Sequence, residues 1–294
     1  MSAAVEVPVR DAATVMLLRD GADGPEVFML QRNLRSDFVG GAYVFPGGGV
    51  DDHDRHLELE PLCEGRSDAD ASRLLDVDRG GLAFWVAAIR ESFEEAGVLL
   101  ALDGEGRTVR LDDDEVAARF AEHRRAVDGG ERKLVDVCVD EGLRLDVGRM
   151  YVFSRWITPE GAPRRYDTRF FVAAAPEAQA YLHDGREAVD NCWVRPADAL
   201  EAHRAGRFEM IFPTIRSLEA LARFDRADDV LDAAAAMDHV PPVLPRIVEA
   251  DDGYRILLPG DDGYDDAVVA QLPEGVPMNR LRTPAVPAGP RERG

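Results

Sequence analysis

Arg90, Glu91, Glu94 and Glu95 carry the most distinctive chemistry in this 294-residue chain. On a helix that turns by about 100° per residue, the three glutamates share one arc. Trp85, Val86, Ile89 and Phe93 fall on the opposite arc and form a core-facing stripe. Ala87 and Ala88 leave room one turn above the acids. Gly97 is placed to close the helix with a left-handed cap before the apolar run Val98–Leu102. Three acids spaced i, i+3 and i+4 repel one another and weaken a bare helix. A bound divalent cation turns that cost into a gain. Hard oxygen ligands on a rigid helix suit Mg²⁺ or Mn²⁺. For such a triplet alone, a solvated acidic face is the competing reading.

The elements that must position this helix are readable from pattern. Ala12–Leu18 reads as a buried strand, Asp20–Pro25 as a turn and Val27–Leu30 as its antiparallel partner. Ala42–Phe45 is a short strand that ends at Pro46-Gly47-Gly48-Gly49. Asp51–Leu82 is polar and weakly patterned, and reads as a mostly solvated excursion with a short helix at Asp68–Leu75. The organising helix spans Leu82–Ala96. Further helices are expected at Asp112–Val127, Leu134–Glu141, Pro196–Ala205, Pro213–Phe224 and Ala227–Met237. Strands are expected at Met150–Trp156, Arg169–Ala174 and Cys192–Val194, with a hairpin near Tyr254–Leu258. From His239 the chain is rich in Pro and Asp, and Pro284–Gly294 reads as a disordered tail.

The glycine turn and the acidic helix together resemble the Nudix hydrolase signature, Gly-x5-Glu-x7-Arg-Glu-(aliphatic)-x-Glu-Glu-x-Gly-(aliphatic). Phe45-Pro46-Gly47-Gly48 matches its lead-in and first glycine, and Arg90–Val98 matches its second half. The spacer between them is stretched, since Arg90 follows Gly48 by 42 positions (90 − 48). The isolated Glu of the pattern falls at Asp54, inside the excursion, and its aliphatic position is Ser92. The long insertion, Trp156-Ile157-Thr158-Pro159 and Arg164–Phe171 are similar to the branch that includes the peroxisomal coenzyme A diphosphatase. An arginine-bearing stretch before Phe-Pro-Gly-Gly fits the same branch through Arg32, Gly41 and Phe45. Asp37 stands where its second arginine is expected, and Arg35 lies two residues away.

The resemblance implies an α/β/α sandwich with a mixed sheet over residues 1–237, with insertions at about 52–82 and 103–148. Residues 238–294 are then a C-terminal extension. It also implies metal-dependent hydrolysis of a nucleoside diphosphate linked to another group, with coenzyme A or acyl-coenzyme A as the leading substrate. ADP-ribose, a dinucleotide or a nucleoside triphosphate would be alternatives, and so would a non-catalytic binding module. By position in the motif, Glu94 and Glu95 hold the metal, and Glu91 is a ligand or the base that activates water. The Gly47 carbonyl is a further ligand, and Arg90 orients the glutamates. A late-loop carboxylate is expected to help, with Glu187 first and Asp190 second.

Arg32, Arg35, Arg165 and Arg169 are the substrate-binding candidates, because a guanidinium grips phosphate well. For the Arg164, Arg165 and Arg169 cluster, surface pairing with Asp167 is an equal alternative. Tyr166 could stack on an adenine ring or simply be half buried. His53 and His56 form the one close histidine pair and read as solvated. The repeated Asp-Asp-Gly-Tyr at Asp251 and Asp261 reads as turn chemistry.

Composition excludes other classes. A net charge of −21 argues against nucleic acid and anionic membrane as partners. A small nucleotide-type substrate stays compatible, because a metal and local arginines supply positive charge, and a homodimer is also compatible. Three scattered cysteines make no disulfide framework or zinc spacing, which fits a reducing compartment. Met1–Arg10 lacks a signal-type apolar core, and no apolar run is long enough to span a bilayer, so a cytoplasmic location is expected.

Overall fold

In the computed structural model, residues 7–34, 40–55, 57–251 and 253–270 are described. Arg35, Asp37, His56 and the Pro284–Gly294 tail lie outside them. The strands are β1 (Val9–Gly21), β2 (Gly24–Arg32), β3 (Tyr43–Val44), β4 (Gly47–Gly49), β5 (Ala101–Leu102) and β6 (Arg144–Leu145). They continue with β7 (Met150–Ile157), β8 (Arg165–Ala174), β9 (Ala188–Val194), β10 (Pro242–Val243), β11 (Arg246–Ala250) and β12 (Gly253–Leu257). The helices are α1 (Asp68–Leu75), α2 (Leu82–Ala96), α3 (Asp114–Asp128), α4 (Leu134–Glu141), α5 (Pro196–Arg204), α6 (Phe212–Leu221) and α7 (Ala227–Ala235).

The central sheet is mixed, in the order β10-β7-β8-β1-β2-β3. β1 runs parallel to β8 along ten residues and antiparallel to β2 near their hairpin. Beyond Leu18 and Val27 the two strands part, and the segment 42–49 fills the split. β3 pairs with β2 through Leu30 and Val44, while β4 pairs with β1 through Thr14 and Gly47. Residues alternate across this sheet with period two. Ala13, Val15, Leu17, Phe171 and Ala173 pack beneath α2, whereas Met16, Leu18, Phe170 and Val172 pack beneath α5, α6 and α7. The result is the expected three-layer α/β/α sandwich around a mixed sheet, with added helices and strands.

Two expectations change. The Asp51–Leu82 excursion is not a solvated loop, for it begins in two 3₁₀ turns and buries Asp54, Leu59, Ala71, Ser72 and Leu75. Strand β8 starts at Arg165, four residues before the expected Arg169, because Arg-Tyr-Asp-Thr-Arg pairs with Val9–Ala13, the first part of β1. Its charged residues alternate into a buried ionic cluster around Asp167, where the sequence offers either a phosphate grip or a surface pairing.

Candidate active site

α2 is gripped at both ends, by α1 and by α3. Gly81 at its start offers no capping side chain. Asp68 of α1 supplies the missing acceptors, taking the N–H groups of Leu82 and Gly80 at 3.0 Å each. At the other end Gly97 adopts a left-handed φ of 71° and donates its N–H to the Phe93 carbonyl. Arg124 of α3 then crosses the helix end, donating from Nε to the Glu94 carbonyl and from Nη2 to the Glu95 carbonyl, both at 2.9 Å.

Between these clamps, Arg90 gathers the acids. Its Nε and Nη2 donate to the two oxygens of Asp54 at 2.9 Å each. Nη1 donates to Glu91 Oε1 at 2.8 Å and to Glu94 Oε2 at 3.0 Å. Nη2 also reaches the Gly49 carbonyl at 2.8 Å. Asp54, six positions after Gly48, therefore stands beneath Arg90, although 42 positions separate Gly48 from Arg90. Glu95 faces the glycine turn and accepts the Gly47 N–H at 2.9 Å. That turn must lie close: a Cβ on Gly48 would stand 2.5 Å from Glu91 Oε1.

The acids are poorly solvated. Burial raises Glu94 to about 7 and Glu91 to about 6, although Arg90 pulls both back. Burial, followed by the charge of Glu91, pushes Glu95 well above the carboxylate range. Burial lowers the Arg90 pKa, but Asp54, Glu91 and Glu94 outweigh it and the net shift is upward.

These groups line a cleft of about 850 Å³. Arg32, Asn33, Arg186, Glu187 and Asp128 border its polar end, and Arg32 Nη2 is 4.0 Å from Glu187 Oε2. Trp156, Phe170, Ile211 and Phe212 line the other end, with Arg164 and Tyr166 beside them. Asp190, the second late-loop candidate, is exposed on β9 and does not line the cleft.

Arg165 and Arg169 are not brought to the cleft, because they alternate on β8 with Tyr166 and Thr168, which line it together with Arg164 just before the strand. Arg165 donates to the Thr158 carbonyl at 3.1 Å. Arg169 is 1% exposed, stacks 4.0 Å over the Phe84 ring and pairs with Asp167 at 2.9 Å. Asp167 also accepts a forked pair from Arg155. Arg35 lies outside the described residues. Sequence reasoning misses Arg124, because it reads Asp112–Val127 only as a further helix.

The sandwich, the glycine turn and the acidic helix define a hydrolase of the Nudix class. Comparison with known proteins agrees. The NUDT19 Nudix domain matches residues 66–221. The chain is 31% identical over 306 residues to the acyl-coenzyme A diphosphatase NUDT19 of Gallus gallus, covering 87% of this chain and 80% of that protein. It is 30% identical over 279 residues to the protein of the same name from Homo sapiens, covering 83% and 73%. Among solved structures, a Nudix hydrolase from Alicyclobacillus acidocaldarius superposes with a TM-score of 0.62 at 29% identity, over 77% of this chain and 96% of that one. The chain belongs to the Nudix hydrolases of the NUDT19 type, enzymes that cleave pyrophosphate bonds in nucleotide diphosphate-linked substrates.

Nudix hydrolases typically use divalent cations. The residues present fit such an ion: the donors are hard oxygens, they are desolvated, and Gly48 leaves space in front of Glu91. In this conformation Arg90 and Gly47 engage the glutamates. Among the described residues no three His, Cys, Asp or Glu side chains are gathered into a finished coordination shell. An ion must therefore compete with Arg90 for Glu91 and Glu94. Among the described residues no helix is long and apolar enough to cross a membrane.

Proposed function

We propose that this chain hydrolyses coenzyme A or acyl-coenzyme A at the pyrophosphate, giving a phosphopantetheine product and adenosine 3',5'-bisphosphate. The observation that carries this reading is the cleft itself, where desolvated glutamates held by Arg90 share one cavity with an apolar end. Its identity to two acyl-coenzyme A diphosphatases supports the same substrate.

In this reading, Glu94, Glu95 and the Gly47 carbonyl hold Mg²⁺ or Mn²⁺, with Glu91 as a further ligand or as the base. The cation supplies stabilisation of charge on the phosphoryl oxygens. Glu91 accepts a proton from the attacking water, whose oxygen bonds to one phosphorus as the bridging P–O bond breaks. Arg90 keeps the glutamates in place and does not touch substrate. Arg32, at the polar end, neutralises phosphate, and Glu187 beside it is the alternative base. The domain runs over residues 1–237, with residues 238–294 as an extension.

The test is a panel of coenzyme A, acyl-coenzyme A, ADP-ribose, NADH and nucleoside triphosphates with Mg²⁺ or Mn²⁺, with products identified by mass. Phosphopantetheine-type products that vanish with a chelator and return with metal are expected. Turnover of ADP-ribose or NADH alone would reject the coenzyme A reading, and chelator-resistant turnover would reject the metal.

A further inference from the structure

The two-stranded hairpin β11–β12 lies beyond residue 221, where the family match ends. It nevertheless reaches the cleft, since Pro245 and Ile256 line it together with Trp156 and Phe212. Three contacts fix it there. β10 runs parallel to β7, with Val243 opposite Trp156. Phe212, at the start of α6, packs both on the sheet core and on the hairpin core of Ile247 and Ile256. The Trp156 and Phe212 rings meet edge to face at 5.6 Å. The hairpin is therefore a wall of the substrate cleft, continuous with the glutamate-bearing end.

The chemistry of this wall is selective. Ile211, Phe212, Pro245 and Ile256 offer no charge to a phosphate. Trp156 adds one hydrogen-bond donor, because its Nε1 is shielded from solvent and has no partner among the described residues. A shielded donor among apolar groups suits a chain that is uncharged and extended yet carries carbonyl oxygens. Arg164 borders this end, so the selection falls to the part of the wall built by Ile211, Phe212, Pro245 and Ile256, where a phosphate or a free carboxylate would lose its hydration without compensation.

The geometry points to the β11–β12 hairpin as the specificity wall for the uncharged, amide-bearing arm of the diphosphate substrate, with Trp156 and Ile256 as its reading residues. This rests on the coenzyme A reading of the cleft. It goes beyond that reading by assigning the arm, rather than the nucleoside, to the end built by the C-terminal extension.

Direct binding separates the two claims, because it does not depend on turnover. Phosphopantetheine and adenosine 3',5'-bisphosphate are titrated separately into the full chain by calorimetry with Mg²⁺ present. The parent protein is compared with Ile256→Phe, which fills the wall, and Trp156→Phe, which keeps an aromatic ring and removes the donor. Both variants are expected to weaken phosphopantetheine binding about 10-fold and to leave the nucleotide unchanged. Melting curves confirm that at least one variant remains folded. Weakened nucleotide binding with the arm unaffected would place the nucleoside at this wall and overturn the proposal. No effect on either ligand, or no phosphopantetheine binding by the parent, would overturn it as well. Arm binding without coenzyme A turnover would instead sink the substrate reading and leave the wall standing.

Discussion

Asp54 occupies two of the three donor nitrogens of Arg90, and Glu91 and Glu94 share the third. This division sets how firmly Arg90 holds the glutamates that a cation needs. Asp54→Asn leaves a neighbour of the same shape but removes the charge. Arg90 should then turn more fully to Glu91 and Glu94 and compete harder with the ion. The expected outcome is an apparent Mg²⁺ requirement raised about 10- to 100-fold, with turnover largely recovered at saturating metal. A metal titration checks this, and an unchanged midpoint would remove Asp54 from the site. Glu94→Gln and Glu95→Gln should lower turnover by orders of magnitude at any metal concentration, because a neutral amide neither holds a cation well nor balances its charge. The same residues predict a pH effect. In metal-free protein Glu91 and Glu94 are raised from 4.5 to about 6 and about 7, so the folded state binds more protons than the unfolded one. Stability should thus fall as pH rises from 4.5 through about 7, the reverse of the usual carboxylate behaviour. Melting in chelator across that range, with Glu94→Gln as the comparison, should show a flatter profile in the variant.

At the scale of elements, α1 and α3 act as clamps on α2. Arg124 of α3 satisfies two carbonyls at its C-terminus, at the residues whose side chains form the acidic cluster. Removing that fork strands partly buried carbonyls, so Arg124→Ala should cost about 1.5–3 kcal/mol of stability. Arg124→Lys should recover only part of it, since a point charge cannot span both acceptors. Gly97→Ala meets a left-handed φ of 71° and places a Cβ 3.0 Å from Arg124 Nη1. It should cost about 1 kcal/mol and lower turnover through the displaced clamp. Denaturant melts of the three variants check the order. Much of α2 was legible in the sequence: its span, its apolar stripe and its Gly97 cap follow from spacing alone. Its clamps were not, because Asp68 and Arg124 act on it from 14 to 30 residues away and carry no local signal. Asp54 was visible only by counting six places from Gly48, and the insertion disguised it as a loop acid. Arg165 and Arg169 misled for a related reason. Strand alternation decides which arginines see the cleft, and the strand began earlier than its apolar half indicates.

The whole molecule carries a net charge of −21, and its substrate class is anionic. The cleft does little to reverse that field locally. Arg32, Arg90, Arg164 and Arg186 line it, but so do Asp51, Asp128, Glu91, Glu94, Glu95 and Glu187. A free diphosphate therefore approaches a surface that repels it, and a divalent cation must offset the repulsion before the phosphorus can be reached. Screening should help such an encounter, because the Debye length shrinks to about 10 Å at 0.1 M salt. With Mg²⁺ held saturating, kcat/KM for an anionic substrate should rise about two- to tenfold as KCl increases from about 10 to 150 mM. An enzyme that steers its substrate with a basic surface would show the opposite slope. A fall in kcat/KM over this range would mean that the four cleft arginines dominate the approach path, and the Arg186→Ala variant would then show a weaker salt effect. A rise that persists in that variant would assign the barrier to the acidic surface as a whole.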